Sequence, residues 1–237
     1  MKKFFAVIAV LLIAAVALCI KFLPNMVEAY TTEQIVKATS ASAVEVSLTS
    51  TPNFKIATGQ IDKLHATADA GYIGDVAFKN LTLDGENISL DVMELLFPNK
   101  DLPPKDRQKK ILKRANKIEL RGIITDEELK NFIIAKNDKF ENLQVTMTPD
   151  GAFASACTKF LGRTIDLEIA GIFIVNNGDI FFHVTNLNSN SILRRVNADT
   201  FMVDMKVLDS AKLPLNLQFD SVELREGEAV VTATTVK

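Results

Sequence analysis

Tryptophan is absent from this 237-residue chain, tyrosine and histidine occur twice each, and there are two cysteines. Each shortage excludes something. Cys19 lies in an apolar N-terminal run, so the remainder has one thiol, Cys157, and no internal disulfide. His65, His183 and Cys157 are too few and too scattered to supply the converging donors that zinc requires. Asp62, Asp69, Asp84 and Asp91 do not form the close loop, with its Gly and Glu, that holds calcium. No Gly-x-Ser-x-Gly occurs, which removes the nucleophile elbow. A formal net charge of −2 gives no reason to expect nucleic acid. Both histidines read as ordinary strand residues, and Cys157, in an alanine-rich strand, as a small buried hydrophobe. The expectation is no catalytic residue, no metal and no cofactor.

What is present is apolar. Fifteen phenylalanines and 48% hydrophobic residues, with 24% charged, describe a chain able to bury a core, not a disordered one. Lys2 and Lys3 precede Phe4 to Ile20, seventeen residues without a charge. A basic start before an apolar run is read as an export signal, and the run is slightly short of the roughly 20 residues that span a bilayer. Residues 1–25 are therefore expected to be a cleaved signal peptide or a retained membrane anchor. Residues 26–237 then form a single domain on the periplasmic or extracellular side of the membrane.

Along that body, Met26 to Lys37 predicts a helix, and Val44, Val46 and Leu48 alternate as in a half-buried strand. Ile61 to Ala68 predicts a second strand. Leu81, Leu83, Ile88 and Leu90 around Asp84-Gly85 predict a hairpin, which Val92 to Phe97 could extend. Ile111, Leu112, Ala115 and Ile118 fall at helical spacing, so Lys105 to Ile118 predicts an amphipathic helix. Thr125 and Glu128 form a capping box opening a helix over Asp126 to Ala135, with Leu129, Phe132 and Ile133 inward. Thereafter the pattern is mainly strand, with turns at Pro149-Asp150-Gly151, Asn176 to Asp179 and Glu226-Gly227. Ile192 to Leu208 reads as mixed and includes a helix. The sum is an α+β domain, an antiparallel sheet with a few helices.

The order of motifs carries a resemblance. Pro52-Asn53-Phe54 leads into Thr58-Gly59-Gln60-Ile61-Asp62-Lys63-Leu64. Thr125-Asp126-Glu127-Glu128-Leu129 and Thr148-Pro149-Asp150-Gly151 follow. Leu213-Pro214-Leu215 and the pair Val222-Glu223-Leu224 and Val230-Val231 close the chain. Each is degenerate alone, but together, from Met26 to Val236, the chain resembles the LmeA-like phospholipid-binding family. The resemblance implies a TULIP-like fold, a strongly curved sheet wrapped around a few helices with an apolar groove. It also implies an exported protein that binds phospholipid in cell-envelope upkeep, with no catalytic motif to transfer. The chain departs from the family at Lys100 to Arg121, where nine basic and three acidic residues give a net +6.

A sheet with one apolar face must be covered, and here only short helices are at hand. A buried acyl chain gains about 0.8 kcal/mol per methylene. The expected groove residues, taken from strand alternation, are Leu81, Leu83, Phe153, Leu167, Ile169 and Phe173. Candidates for an anionic headgroup or membrane surface are Lys105, Lys109, Lys110, Lys113, Arg114 and Lys117. The first expectation is thus an envelope phospholipid-binding protein that favours anionic lipid, for transfer or maintenance. The alternatives are an envelope adaptor binding a protein partner without lipid, and a hydrolase using His65 or His183 as base.

Overall fold

The period-two alternation of the body becomes strand almost throughout in the computed structural model, which describes residues 25–29, 31–33, 35–37, 39–97, 101, 103, 110–136, 140–160, 163–189, 204–213, 215 and 217–235. Residues 1–24, with the expected signal or anchor, lie outside the described residues, as do Lys105, Lys109 and most of the mixed stretch after Ile192. Residues 25–29, 31–33 and 35–37 are helical, as their spacing predicted. Among them the Thr31 hydroxyl donates back to Val27 O at 2.8 Å. Among the described residues, no helix is long and apolar enough to cross a membrane.

Among the described residues, twelve strands make two sheets. The first, of seven strands, runs β1 (Ser42–Thr49), β2 (Gln60–Ile73), β3 (Val76–Leu90), β5 (Lys117–Thr125), β12 (Glu228–Thr235) and β11 (Leu217–Arg225), with β4 (Leu112–Arg114) also paired to β3. The second runs β10 (Met205–Leu208), β9 (Asp179–Ser189), β8 (Arg163–Asn176), β7 (Gly151–Phe160) and β6 (Phe140–Thr148). Further helices among the described residues include α1 (Val92–Leu96) and α2 (Asp126–Lys136), with 3-10 turns at Asn53–Thr58 and Ser210–Lys212. The expected α+β class holds, with β predominating and antiparallel pairing. Chain contacts divide into two compact units, residues 1–37, 44–67 and 83–118 in the first, and 38–43, 68–82 and 119–237 in the second.

In the first unit two expectations fail. Asp84-Gly85 is not a turn: β3 is continuous from Val76 to Leu90, and the reversal is at Gly74-Asp75. Along β3 the buried residues are Val76, Phe78, Leu81, Leu83, Gly85 and Ile88. The alternation skips a residue at Asn80 and Asn87, both with φ 49°. An extra left-handed residue in a strand resets which face follows, as in a β-bulge, and asparagine tolerates that conformation best among side-chain-bearing residues. Val92 to Phe97 does not extend the strand. Asp91 accepts from Met93 N and Glu94 N, at 3.0 and 3.1 Å, and starts α1.

The second failure is the part from Leu112 onward of the amphipathic helix expected over Lys105 to Ile118. Lys110 and Ile111 are helical, but Leu112–Arg114 pairs with β3 as β4, and β5 begins at Lys117. Ile118, Leu120, Gly122 and Ile124 are buried while Lys117 and Arg121 are exposed. That period of two outweighed the helical spacing once β12 was available, Ala233 pairing with Leu120 and Val231 with Gly122.

The second unit holds the capping box as expected. Thr125 N donates to Glu128 Oε2 at 3.1 Å, and Glu128 N lies 3.5 Å from Thr125 Oγ1. Asp126 fixes the start of α2 by accepting from Met147 N at 2.8 Å. Its own N–H reaches Gly227 O at 3.1 Å, and Gly227 N reaches Met147 O at 2.9 Å. One turn of helix thereby ties the β6–β7 and β11–β12 hairpins together. Asn177 (φ 51°) and Gly178 (φ 80°) form the two-residue turn between β8 and β9.

Candidate functional site

The five-stranded sheet has two chemically different faces. Residues directly opposite in an antiparallel pair share a face. Gln144, Ser155, Glu168 and Asn188 are opposite one another in succession, as are Thr146, Phe153, Ala170 and Asn186. These line a shallow polar hollow of about 360 Å³. The other face carries Val145 opposite Ala154 and then Ile169, with Ala156 opposite Leu167. Helix α2 lies over it through Leu129, Phe132 and Ile133.

Between that face and α2 is an apolar cavity of about 350 Å³, at the lower end of the roughly 300–1,000 Å³ usual for ligand sites. Its cause is visible in β7. Where neighbouring strands place valine, leucine and isoleucine, β7 places Ala152, Ala154 and Ala156, leaving a trough. Phe173 and Phe182 close one side, their ring centroids 5.4 Å apart. Met205 and Val207 of β10 border the edge. Phe132, Ile133, Leu167, Ile169, Phe173 and Phe182 all keep partial exposure, so solvent reaches this surface. The charged residues among the described lining are Lys136, the last residue of α2, and Lys206 of β10.

Of the expected groove residues, Leu167, Ile169 and Phe173 meet here. Phe153 borders the cavity too, but it is 44% exposed and its register places it on the polar face. The alternation of β7 was therefore assigned to the wrong side, and the alanines form the covered face. Leu81 and Leu83 do not reach the cavity. Both are buried in the seven-stranded sheet, and Leu81 fills space left by two glycines. A Cβ on Gly71 would stand 2.8 Å from Leu81 Cδ1, and one on Gly122 2.8 Å from Leu81 Cδ2.

Of the basic candidates among the described residues, Lys110 precedes β4, Lys113 and Arg114 lie in β4, and Lys117 opens β5. Lys110, Lys113, Arg114 and Lys117 are exposed, and Lys113 pairs with Asp91 at 3.0 Å. The hydrogen bond from Lys113 and those from the Glu94 and Met93 amides hold the Asp91 carboxyl below its ordinary pKa. His65 Nδ1 lies 2.7 Å from Asp84 Oδ1, and His183 Nδ1 2.6 Å from Asp204 Oδ1, both pairs on the surface. Cys157 is half-buried, not buried as expected, and its Sγ meets Asp166 Oδ1 at 3.3 Å. That carboxylate, with some desolvation, pushes the thiol's pKa up, away from the thiolate a nucleophile needs. No group of three His, Cys, Asp or Glu that could hold a metal ion occurs among the described residues.

A model of LmeA-like phospholipid-binding proteins matches residues 22–234. The chain belongs to the LmeA-like phospholipid-binding family. The search of curated proteins and that of solved structures gave no match. Membership in a lipid-binding family gives the open apolar cavity of the second unit its functional interest. The lining residues missed by sequence reasoning include Phe182, Met205, Lys136 and Lys206, together with the three alanines. The Ala-x-Ala-x-Ala spacing was the available signal for the trough.

Proposed function

We propose that this protein binds phospholipid outside the cytoplasm, with an acyl chain in the cavity between α2 and the five-stranded sheet. The observation that carries the reading is an apolar, partly exposed cavity in a member of a phospholipid-binding family. Its volume suits a stretch of one acyl chain, the rest of a two-chain lipid lying outside. A role in binding without catalysis fits the raised Cys157 pKa and the surface position of both histidines.

A site beside an anionic bilayer is supported by the first unit. Phe54, Met93 and Phe97 are exposed there by 54%, 66% and 72%. Phe54 lies in the 3-10 turn, Met93 in α1 and Phe97 at its end. The N–H of Leu90, bonded to Gly59 O at 2.7 Å, joins the two segments. Basic β4 pairs with β3 just before α1, Arg114 opposite Ser89. Apolar side chains framed by cations suit a surface of anionic headgroups. The same exposed side chains would also serve the adaptor reading.

The test is native mass spectrometry of the full chain purified from bacterial membranes, with co-sedimentation on phosphatidylglycerol and phosphatidylcholine vesicles. Bound phospholipid and preferential sedimentation with the anionic vesicles are expected. A lipid-free chain that ignores both vesicles and co-purifies with a stoichiometric protein would favour the adaptor.

A further inference from the structure

The polar face of the five-stranded sheet, turned away from α2, has a chemistry that acyl binding does not use. We propose that its hollow of about 360 Å³ binds a neutral saccharide. The Phe153 ring is the stacking platform, and Glu168, Gln144, Asn186 and Asn188 meet the sugar hydroxyls. Irregular pairing borders the hollow on both sides. The β6–β7 register shifts between Glu141 and Gln144, and the β8–β9 register between Ala170 and Gly171. Such bulges bend a strand and increase its local twist. Thr185, the extra residue of the second shift, is fixed by donating from Oγ1 to Ala170 O at 3.2 Å.

The composition of this face is unlike that of a merely solvated one, where lysine, arginine and glutamate are ordinary. Among the eight residues of its two opposed rows, Glu168 alone carries a charge. Phe153 is 44% exposed, and its cross-strand partners, Thr146 and Ala170, are too small to cover the ring. That leaves an apolar plane on which the C–H face of a pyranose can pack. Amides both donate and accept, as sugar hydroxyls do. Asn188 Nδ2 donates to Glu168 Oε2 at 3.2 Å, while Glu168 Oε1 and the amides of Gln144 and Asn186 have no side-chain partner among the described residues. No cation lines the hollow among the described residues. A phosphate or carboxylate ligand would therefore meet the Glu168 charge with nothing to offset it. An uncharged polyol meets no such repulsion. Opposed residues on four adjacent strands span about 14 Å, the reach of a short oligosaccharide.

The experiment titrates the full chain, in a sugar-free zwitterionic detergent, with maltotriose, mannotriose, chitotriose and the anionic trigalacturonate, read by saturation-transfer NMR. Millimolar or tighter binding of at least one neutral sugar is expected, with trigalacturonate about tenfold or more weaker. Phe153→Ala and Glu168→Gln, both at exposed positions, should each weaken that sugar about tenfold and leave the thermal midpoint in place. Tyr72→Ala, which removes an exposed ring elsewhere in the second unit, is expected to keep the affinity. Silence from all three neutral sugars, trigalacturonate binding as well as they do, or an equal loss in Tyr72→Ala overturns the site. So do Phe153→Ala and Glu168→Gln chains that bind like the unaltered one, or a dimer of the chain that Phe153→Ala breaks apart. The lipid reading concerns the other face of the sheet, so either can fail while the other stands.

Discussion

The seven-stranded and five-stranded sheets are written in the same alternating pattern and end differently. Phe78, Leu81, Leu83 and Ile88 of β3 are each at most 6% exposed, and Phe78 and Leu81 occupy the space that Gly122, and for Leu81 also Gly71, leaves by having no side chain. Leu167, Ile169, Phe173 and Phe182 face a trough of alanines and remain partly open. The lesson is that alternation says which side chains share a face. The sizes of the residues across that face decide whether it closes on itself or leaves room for a guest.

The largest effect expected from breaking this difference is on stability. Phe78→Ala should cost about 3–5 kcal/mol, as for a filled core position. Phe173→Ala, removing a ring already partly in water, should cost about 1–2 kcal/mol. Urea unfolding of the two variants measures both, and equal losses would mean the five-stranded sheet is packed as tightly as the other. A smaller effect should come from pH. Asp179, at the edge of the five-stranded sheet, is pushed up by desolvation, but Lys206 and the Ser210 donors outweigh this and leave its pKa below the ordinary aspartate value. A depressed folded value means stability that is present above the unfolded aspartate pKa of about 4 and is lost as pH falls through the lower folded value. Asp179→Asn should therefore cost about 1 kcal/mol at neutral pH and flatten the acid limb of a thermal unfolding series below pH 4. An unchanged acid limb would show that the pair with Lys206 contributes nothing.

Much of this architecture was readable from local chemistry. Pro149-Asp150-Gly151, Asn177-Gly178 and Glu226-Gly227 lie at turns, and Thr125 with Glu128 caps α2, because each signal is complete within four residues. Errors arose where a distant partner decided. Ile111 to Ile118 satisfies a helical period, but Leu112–Arg114 pairs with β3, more than twenty positions earlier, and β5 pairs from Glu119 onward with β12, more than a hundred positions later. Asp84-Gly85 imitates a hairpin turn, while the bulges at Asn80 and Asn87 shift the alternation that would have exposed the error. For the cavity, Leu167, Ile169 and Phe173 were legible from their spacing. The bulk of Phe153 drew attention to the wrong face of β7, and Lys136 and Lys206 become neighbours of the cavity only when α2 and β10 are in place.

The central claim is that the trough at Ala154 is space for an acyl chain. Its most direct test is the phospholipid bound per chain in Ala154→Leu, measured beside the unaltered protein by native mass spectrometry. Displacing three or four methylenes of guest, at about 0.8 kcal/mol each, predicts roughly a hundredfold loss of affinity with an unfolding midpoint unchanged or raised. A well-folded Ala154→Leu chain carrying its full complement of lipid would contradict the account.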